Sequence, residues 1–119
     1  MKRIITLVAA LAVAATTFAV VAYGSSSRAS ATTVKVTAKD TFRFVLTRKS
    51  APHGKVTFKV TNKGRLKHDF KIAGKKTKLL GHNKTATLTV TLKKGKKYTY
   101  LCTVPGHAAA GMKGTFKAT

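Results

Sequence analysis

Strict alternation of apolar and polar residues constrains the fold of this chain more than any other feature. The segment "TATLTVTL" places Ala86, Leu88, Val90 and Leu92 on one side and threonines on the other, and "KVTFKVT" and "KYTYLC" alternate in the same way. A period of two residues is typical of β-strands that turn one face to a core and the other to water. The many Thr and Val residues also favour strands.

Turn-forming sequences separate the alternating segments. They read "APHG", "NKG", "LLGHNK" and "KKGKK", and their Gly, Pro and Asn residues are typical of tight turns. No segment after residue 31 has the apolar periodicity of a helix. We therefore predict an all-β fold, an antiparallel β-sandwich of seven to eight short strands.

The N-terminus predicts export. Two basic residues precede an apolar run from Ile4 to about Ala22, and the small-residue pattern Ala29-Ser30-Ala31 is one that signal peptidases accept. The apolar run is also long enough for an uncleaved membrane anchor. We predict a signal peptide or N-terminal anchor over residues 1–31 and one domain over residues 32–119. The protein would be periplasmic, extracellular or tethered to the outer face of the cytoplasmic membrane.

The charge of the chain is strongly positive. It has 24 basic and two acidic residues, a net charge of +22. Three basic residues precede residue 32, so the predicted domain keeps 21 basic residues and both acids, a net charge of +19. Such a field attracts nucleic acids, anionic membranes, cell-wall polymers and acidic proteins alike. Because the lysines are spread singly among strand positions, we expect a general basic surface and no specific nucleic-acid partner.

A single cysteine points to a metal. It excludes an internal disulfide, so a domain with so thin a core needs another means of stabilisation, and a bound metal is one. Cys102 is followed by His107 and Met112, a spacing of Cys-x4-His-x4-Met on the loop Thr103–Met112. Thiolate and thioether are soft ligands and imidazole is intermediate, a set that suits copper. Electron-transfer copper sites add a second histidine.

His68 is the best candidate for that second histidine. It alternates with Phe70 and Ile72 in "KHDFKI", which turns it toward the core, where a buried imidazole needs a partner. His53 and His82 lie in turn sequences, where an exposed side chain is expected.

These segments resemble the plastocyanin/azurin family of blue copper proteins, the cupredoxins. "KVTFKVTNKGRLKHDFKI" resembles the stretch that leads into the family's first histidine ligand, and "LTVTLKKGKKYTYLC" resembles the stretch that leads into its cysteine. The resemblance covers nearly all of residues 32–119. It implies a Greek-key β-sandwich that holds one type 1 copper ion, cycling between Cu(I) and Cu(II). The ligands that it implies are His68, Cys102, His107 and Met112.

The residue after the first histidine differs from the family's usual one. It is often Asn in the family, where its side chain ties the two ligand loops together by hydrogen bonds near the cysteine. Asp69 stands there in this chain, and its carboxylate could tie the loops as an acceptor.

We expect a small monomeric electron carrier and not an enzyme. Electrons would pass through His107, because the neighbouring Val104, Pro105 and Ala108–Ala110 would form a small apolar patch around its imidazole. Weak electron-transfer encounters use small interfaces. The surrounding lysines would steer a redox partner with an acidic docking surface.

Other functions use the same residues. A thiol enzyme built on Cys102 and His107 lacks a third orienting group, and its cysteine would face the core. Zinc is disfavoured because thioether is a poor zinc ligand. Transport or storage of copper(I) stays open, as does a cationic polyanion-binding module with a structural metal. Taken singly, Cys102 could be a small core residue and Met112 a core filler.

Overall fold

A computed structural model describes residues 31–119. The predicted signal peptide or anchor lies outside this range, apart from Ala31. The all-β prediction is confirmed: residues 31–119 contain no helix, and hence none long and apolar enough to cross a membrane. The strands are β1 (Thr32–Lys39), β2 (Arg43–Leu46), β3 (Ser50–Ala51), β4 (Gly54–Asn62), β5 (Lys71–Ile72), β6 (Lys75–Lys76), β7 (Thr85–Leu92), β8 (Lys97–Leu101) and β9 (Lys113–Ala118).

The strands form two sheets. One has the order β2-β1-β4-β7 and the other the order β3-β9-β8-β5-β6. Two pairings, β1 with β4 and β3 with β9, are parallel, and the others are antiparallel. The predicted sandwich is therefore present as two mixed sheets. Alternation reports which face of a strand is buried and does not encode the direction of its neighbour.

The core lies between the two sheets and is built on aromatic rings. Phe58 from β4 contacts Phe116 from β9 at 5.2 Å between ring centroids, and Phe70, just before β5, at 5.3 Å. All three side chains are fully buried. Burying each one stabilises the fold by roughly 1.5–3 kcal/mol, so this cluster fixes β5 and β9 relative to the first sheet.

A smaller buried cluster lies where β1 and β8 end and β9 begins. Its members are Ala38, Cys102 and Met112, and the half-buried side chains of Phe42, Phe44 and Val104 pack against it. Ala38 lies on the core face of β1, and Cys102 directly follows β8 and continues its alternation after the buried Tyr100. The sandwich thereby brings the only cysteine to a protected end of the core.

Candidate metal centre

The segment from Cys102 to Met112 is a closed loop between β8 and β9. The N–H of Cys102 donates to the carbonyl of Met112 at 3.0 Å, which closes the base of the loop. Further along, the N–H of Met112 donates to the carbonyl of His107 at 3.0 Å, and that of His107 to the carbonyl of Val104 at 3.1 Å. These backbone hydrogen bonds hold the cysteine, the histidine and the methionine in a fixed relation.

His68 reaches the same point from the segment before β5. Its backbone forms an isolated bridge with Leu80, with N···O distances of 3.1 and 2.8 Å. The buried Asn62 amide donates to the carbonyls of Leu66 and Leu80 at 2.8 and 2.7 Å and holds both segments. The His68 side chain is fully buried, as the alternation predicts, although the strand itself begins only at Lys71.

Two histidines and the cysteine converge. The Nδ1 atoms of His68 and His107 lie 3.2 Å apart, and Cys102 Sγ lies 3.5 Å from His107 Nδ1. One ligand atom from each of the three residues fits within 4.8 Å of the others. Met112 is fully buried and packs in the same small cluster as Cys102. The structure therefore brings His68, from the segment before β5, to the loop that carries the other candidate ligands.

Burial shifts the pKa of two of the candidate donor groups, Cys102 and His107. It raises the pKa of the Cys102 thiol, while the backbone N–H groups of Asp69 and Val104 oppose this shift. Burial, followed by the nearby His68, lowers the pKa of His107. Both effects favour the neutral imidazole of His107, the form that binds metals.

The donor set fits copper. It combines a buried thiol with two imidazoles and a neighbouring thioether, the soft and intermediate ligands that copper takes. A metal cation would also supply the positive charge that a buried thiolate at Cys102 needs, because burial alone favours the protonated thiol.

Asp69 joins the two segments that carry the ligand candidates. Its Oδ1 accepts a hydrogen bond from the N–H of Thr103 at 2.6 Å, and its Oδ2 accepts one from the Thr103 hydroxyl. Thr103 follows Cys102 and Asp69 follows His68, so these hydrogen bonds tie the Asp69 side chain, next to His68, to the residue next to Cys102. Asp69 therefore links the segment that carries His68 to the loop that carries Cys102.

The turn between β1 and β2 forms a further wall of the site, which the sequence analysis missed. Asp40 Oδ1 accepts a hydrogen bond from His68 Nε2 at 3.0 Å. The Phe42 ring contacts the His107 ring at 5.0 Å between centroids and 63° between planes. Arg43 donates to the Ala110 carbonyl at 3.2 Å. The backbone of Phe42 is left-handed, with φ of 57°, a strained conformation that often marks functional sites.

These contacts span 28 to 67 positions of sequence, and no local pattern encodes them. One signal was available: Asp40 is one of only two acidic residues in the chain.

The two remaining histidines lie apart from the site. His53 Nδ1 is 2.9 Å from the carbonyl oxygen of Thr119, and His82 Nδ1 is 2.9 Å from that of Gly64. Both residues are exposed, as expected from their turn sequences.

Comparison with known proteins gives a consistent result. The model of the family "copper binding proteins, plastocyanin/azurin family" matches residues 21–119. No curated protein sequence is similar enough to give a match.

Solved structures share the fold. Reduced auracyanin from the photosynthetic bacterium Roseiflexus castenholzii is 22% identical, with a TM-score of 0.66 over 75% of this chain and 98% of that one. Auracyanin A, a "blue" copper protein from Chloroflexus aurantiacus, is 20% identical, with a TM-score of 0.61 over 73% and 98%. An azurin from Methylomonas sp. strain J is 19% identical, with a TM-score of 0.60 over 74% and 98%.

Proposed function

The chain belongs to the plastocyanin/azurin family of copper-binding proteins, and from this premise we propose that it is an exported carrier of single electrons with one type 1 copper ion. The observation that carries the proposal is the convergence of His68, Cys102 and His107, whose ligand atoms fit within 4.8 Å of one another. Two imidazoles and one thiolate are the strong ligands of electron-transfer copper. No other group of three potential ligands is found among residues 31–119.

Nδ1 of His68, Sγ of Cys102 and Nδ1 of His107 would hold the copper ion, and the thioether of Met112 would be a weaker fourth ligand. Two observations support Met112. It lies at the end of the same hydrogen-bonded loop, and it packs in one buried cluster with Cys102. As a weak ligand, a thioether in this place would tune the reduction potential.

Copper supplies the one-electron exchange between Cu(I) and Cu(II), and the protein supplies a site that changes little. The loop hydrogen bonds and the link from Asp69 to Thr103 hold the segments that carry the donor atoms in a fixed relation. His68 and Cys102 are buried, which excludes water from the inner side of the site. A rigid, dry site lowers the cost of rearrangement that each electron transfer would otherwise carry.

His107 is the proposed point of electron entry and exit. Its side chain is half-buried, whereas those of His68, Cys102 and Met112 are buried. Pro105, Ala109 and Ala110 are exposed beside it, and Val104 and Ala108 are half-buried. This surface is apolar and suits a brief encounter. The lysines of the chain would steer an acidic redox partner toward it.

Several finer parts of the proposal rest on the sequence. They are cleavage or anchoring of residues 1–31, one domain over residues 32–119, export and a monomeric state. The basic surface would also attract anionic membranes and cell-wall polymers.

A visible absorption spectrum tests the proposal. Addition of one equivalent of Cu(II) to the purified full chain should give an intense blue band, because a thiolate bound to Cu(II) is strongly covalent, and ascorbate should abolish it. The control Cys102→Ser keeps a small polar side chain at this buried position but removes the sulfur, so it should give no such band.

Two results would contradict the proposed electron-carrier function or its thiolate ligand. Tight Cu(I) binding without a blue Cu(II) form would favour copper transport or storage. A blue band that persists in Cys102→Ser would contradict the proposed thiolate ligand.

A further inference from the structure

Asp40 is an unusual residue in this chain. The protein has 24 basic residues and only two acids, and both acids lie beside the candidate metal centre. Asp69 contacts the loop that carries Cys102, and Asp40 contacts His68 itself. Both carboxylate side chains of this strongly basic chain therefore lie where they can act on the proposed metal ligands.

The backbone holds the Asp40 carboxylate in place. Its Oδ2 accepts a hydrogen bond from the N–H of Arg65 at 2.7 Å, and its Oδ1 accepts one from the N–H of Leu66 at 3.1 Å. Oδ1 also lies 3.0 Å from Nε2 of His68. The three donors come from one segment and fix both oxygens, although 38% of the Asp40 side chain is exposed.

The side-chain contacts of Asp40 with basic residues are selective. Among residues 31–119, the only contact within 4.0 Å between a basic and an acidic side chain joins Asp40 to His68. Lys39, Lys63 and Arg65 line an open cleft of about 640 Å³ together with Asp40, yet none of them forms an ion pair with it. The carboxylate is therefore directed at the imidazole, and no Lys or Arg side-chain nitrogen among residues 31–119 lies within 4.0 Å of it.

The contact decides which nitrogen of His68 carries a proton. An ionised carboxylate only accepts hydrogen bonds, so Nε2 must donate. In a neutral imidazole, Nδ1 then has a free lone pair. That Nδ1 lies 3.2 Å from Nδ1 of His107, within the proposed metal site. Asp40 thus presents His68 in the one neutral form that can bind a metal through Nδ1.

We propose that Asp40 is a positioning residue of the metal centre, which fixes the His68 tautomer and favours the oxidised, more highly charged copper. The inference rests on the proposed copper site. A carboxylate behind a metal-bound histidine orients the ring and makes it a stronger donor. Its negative charge also stabilises Cu(II) more than Cu(I), because the attraction grows with the charge of the ion. The carboxylate lowers the reduction potential accordingly.

The first experiment uses the metal-free full chain. Nitrogen NMR of the imidazole rings should show His68 as the Nε2–H tautomer in the wild type and a mixture of tautomers in Asp40→Ala. Asp40→Asn keeps a carbonyl oxygen that can accept from Nε2, so it should keep the tautomer. Asp69→Asn is the matched control: it removes the other carboxylate charge without touching His68, and the His68 tautomer should not change.

The second experiment measures copper affinity by competition with a chelator, separately for Cu(II) and Cu(I). In Asp40→Ala the Cu(II) affinity should fall by about 10–100-fold, and the Cu(I) affinity should fall less. Each tenfold difference between the two losses raises the reduction potential by about 59 mV. Asp40→Asn should show a smaller rise, because it loses the charge but keeps an acceptor.

An unchanged His68 tautomer in Asp40→Ala, or equal losses of Cu(I) and Cu(II) affinity, would overturn the inference. If Asp40→Ala does not fold, the test uses Asp40→Asn. A reduction potential equal to that of the wild type in Asp40→Asn would also overturn the inference. Failure of the copper proposal looks different. The wild type would then lack the blue band, whereas the tautomer comparison is made without metal.

Discussion

At the scale of single residues, Met112 shows how packing and metal binding can demand the same side chain. It is fully buried in the cluster with Ala38 and Cys102, as a core methionine would be. It also ends the loop that carries Cys102 and His107. Burial alone cannot distinguish the two roles, so a substitution must separate volume from the sulfur atom.

Met112→Leu makes that separation. The two side chains have similar volumes, so the free energy of unfolding of the metal-free protein should change by less than about 1.5 kcal/mol. If Met112 is the axial ligand, the blue band should persist while the reduction potential shifts, because the axial ligand tunes the potential. The measurements are denaturant unfolding of the metal-free protein and a redox titration of the copper form.

Met112→Ala is the comparison. It removes the sulfur and also leaves a cavity, which should cost about 2–5 kcal/mol of stability. A wild-type potential in Met112→Leu would assign Met112 to the core alone.

At the scale of elements, the hairpin of β8 and β9 matters most. It carries three of the four proposed ligands on its loop, and Tyr100 of β8 pairs with Gly114 of β9 just below that loop. A Cβ atom at Gly114 would overlap the Tyr100 ring, which is buried and has little room to move. The absence of a side chain at Gly114 therefore lets the two strands pack closely at the base of the site.

Gly114→Ala tests this close packing. Because the added methyl group must displace the Tyr100 ring, we expect a loss of about 1–3 kcal/mol in the free energy of unfolding, measured by denaturant titration of the metal-free protein. Gly81→Ala is the matched control, since the nearest atom to its added Cβ would be Cγ of Lys84 at 4.0 Å. A loss no larger than that of the control would contradict the packing argument.

At the scale of the whole molecule, charge dominates. A net charge of +22 on 119 residues creates a positive field that acts on any partner from a distance. The two carboxylates near the proposed copper change the field locally, whereas the lysines on the strand surfaces set it at long range. We therefore expect the lysines to govern the approach of a redox partner and the two carboxylates to influence the reduction potential of the proposed copper.

Small redox reagents can measure the long-range field. The second-order rate constant of electron exchange with an anionic complex should fall as salt rises, because the Debye length shortens from about 30 Å at 0.01 M to about 8 Å at 0.15 M. A cationic complex of similar size is the control, and its rate constant should rise. The same salt dependence for both reagents would contradict electrostatic steering.

The sequence by itself determined the class of fold and the main chemistry of the site. Alternation in β1, β4 and β7 identifies the buried faces, because a strand turns every second side chain to the same side. The soft donors Cys102 and Met112, with His107 between them, favour copper over calcium or magnesium through the residue types alone. Alternation with Phe70 likewise turns His68 inward.

Only the tertiary structure decided which distant segments meet. The parallel pairing of β1 with β4 depends on how the chain crosses between positions far apart in sequence, which a period of two cannot report. Asp40 contacts His68 from 28 positions away, and Phe42 contacts His107 from the same turn. A local pattern fixes the face that a residue presents. The partner that it meets there depends on how the complete sandwich packs.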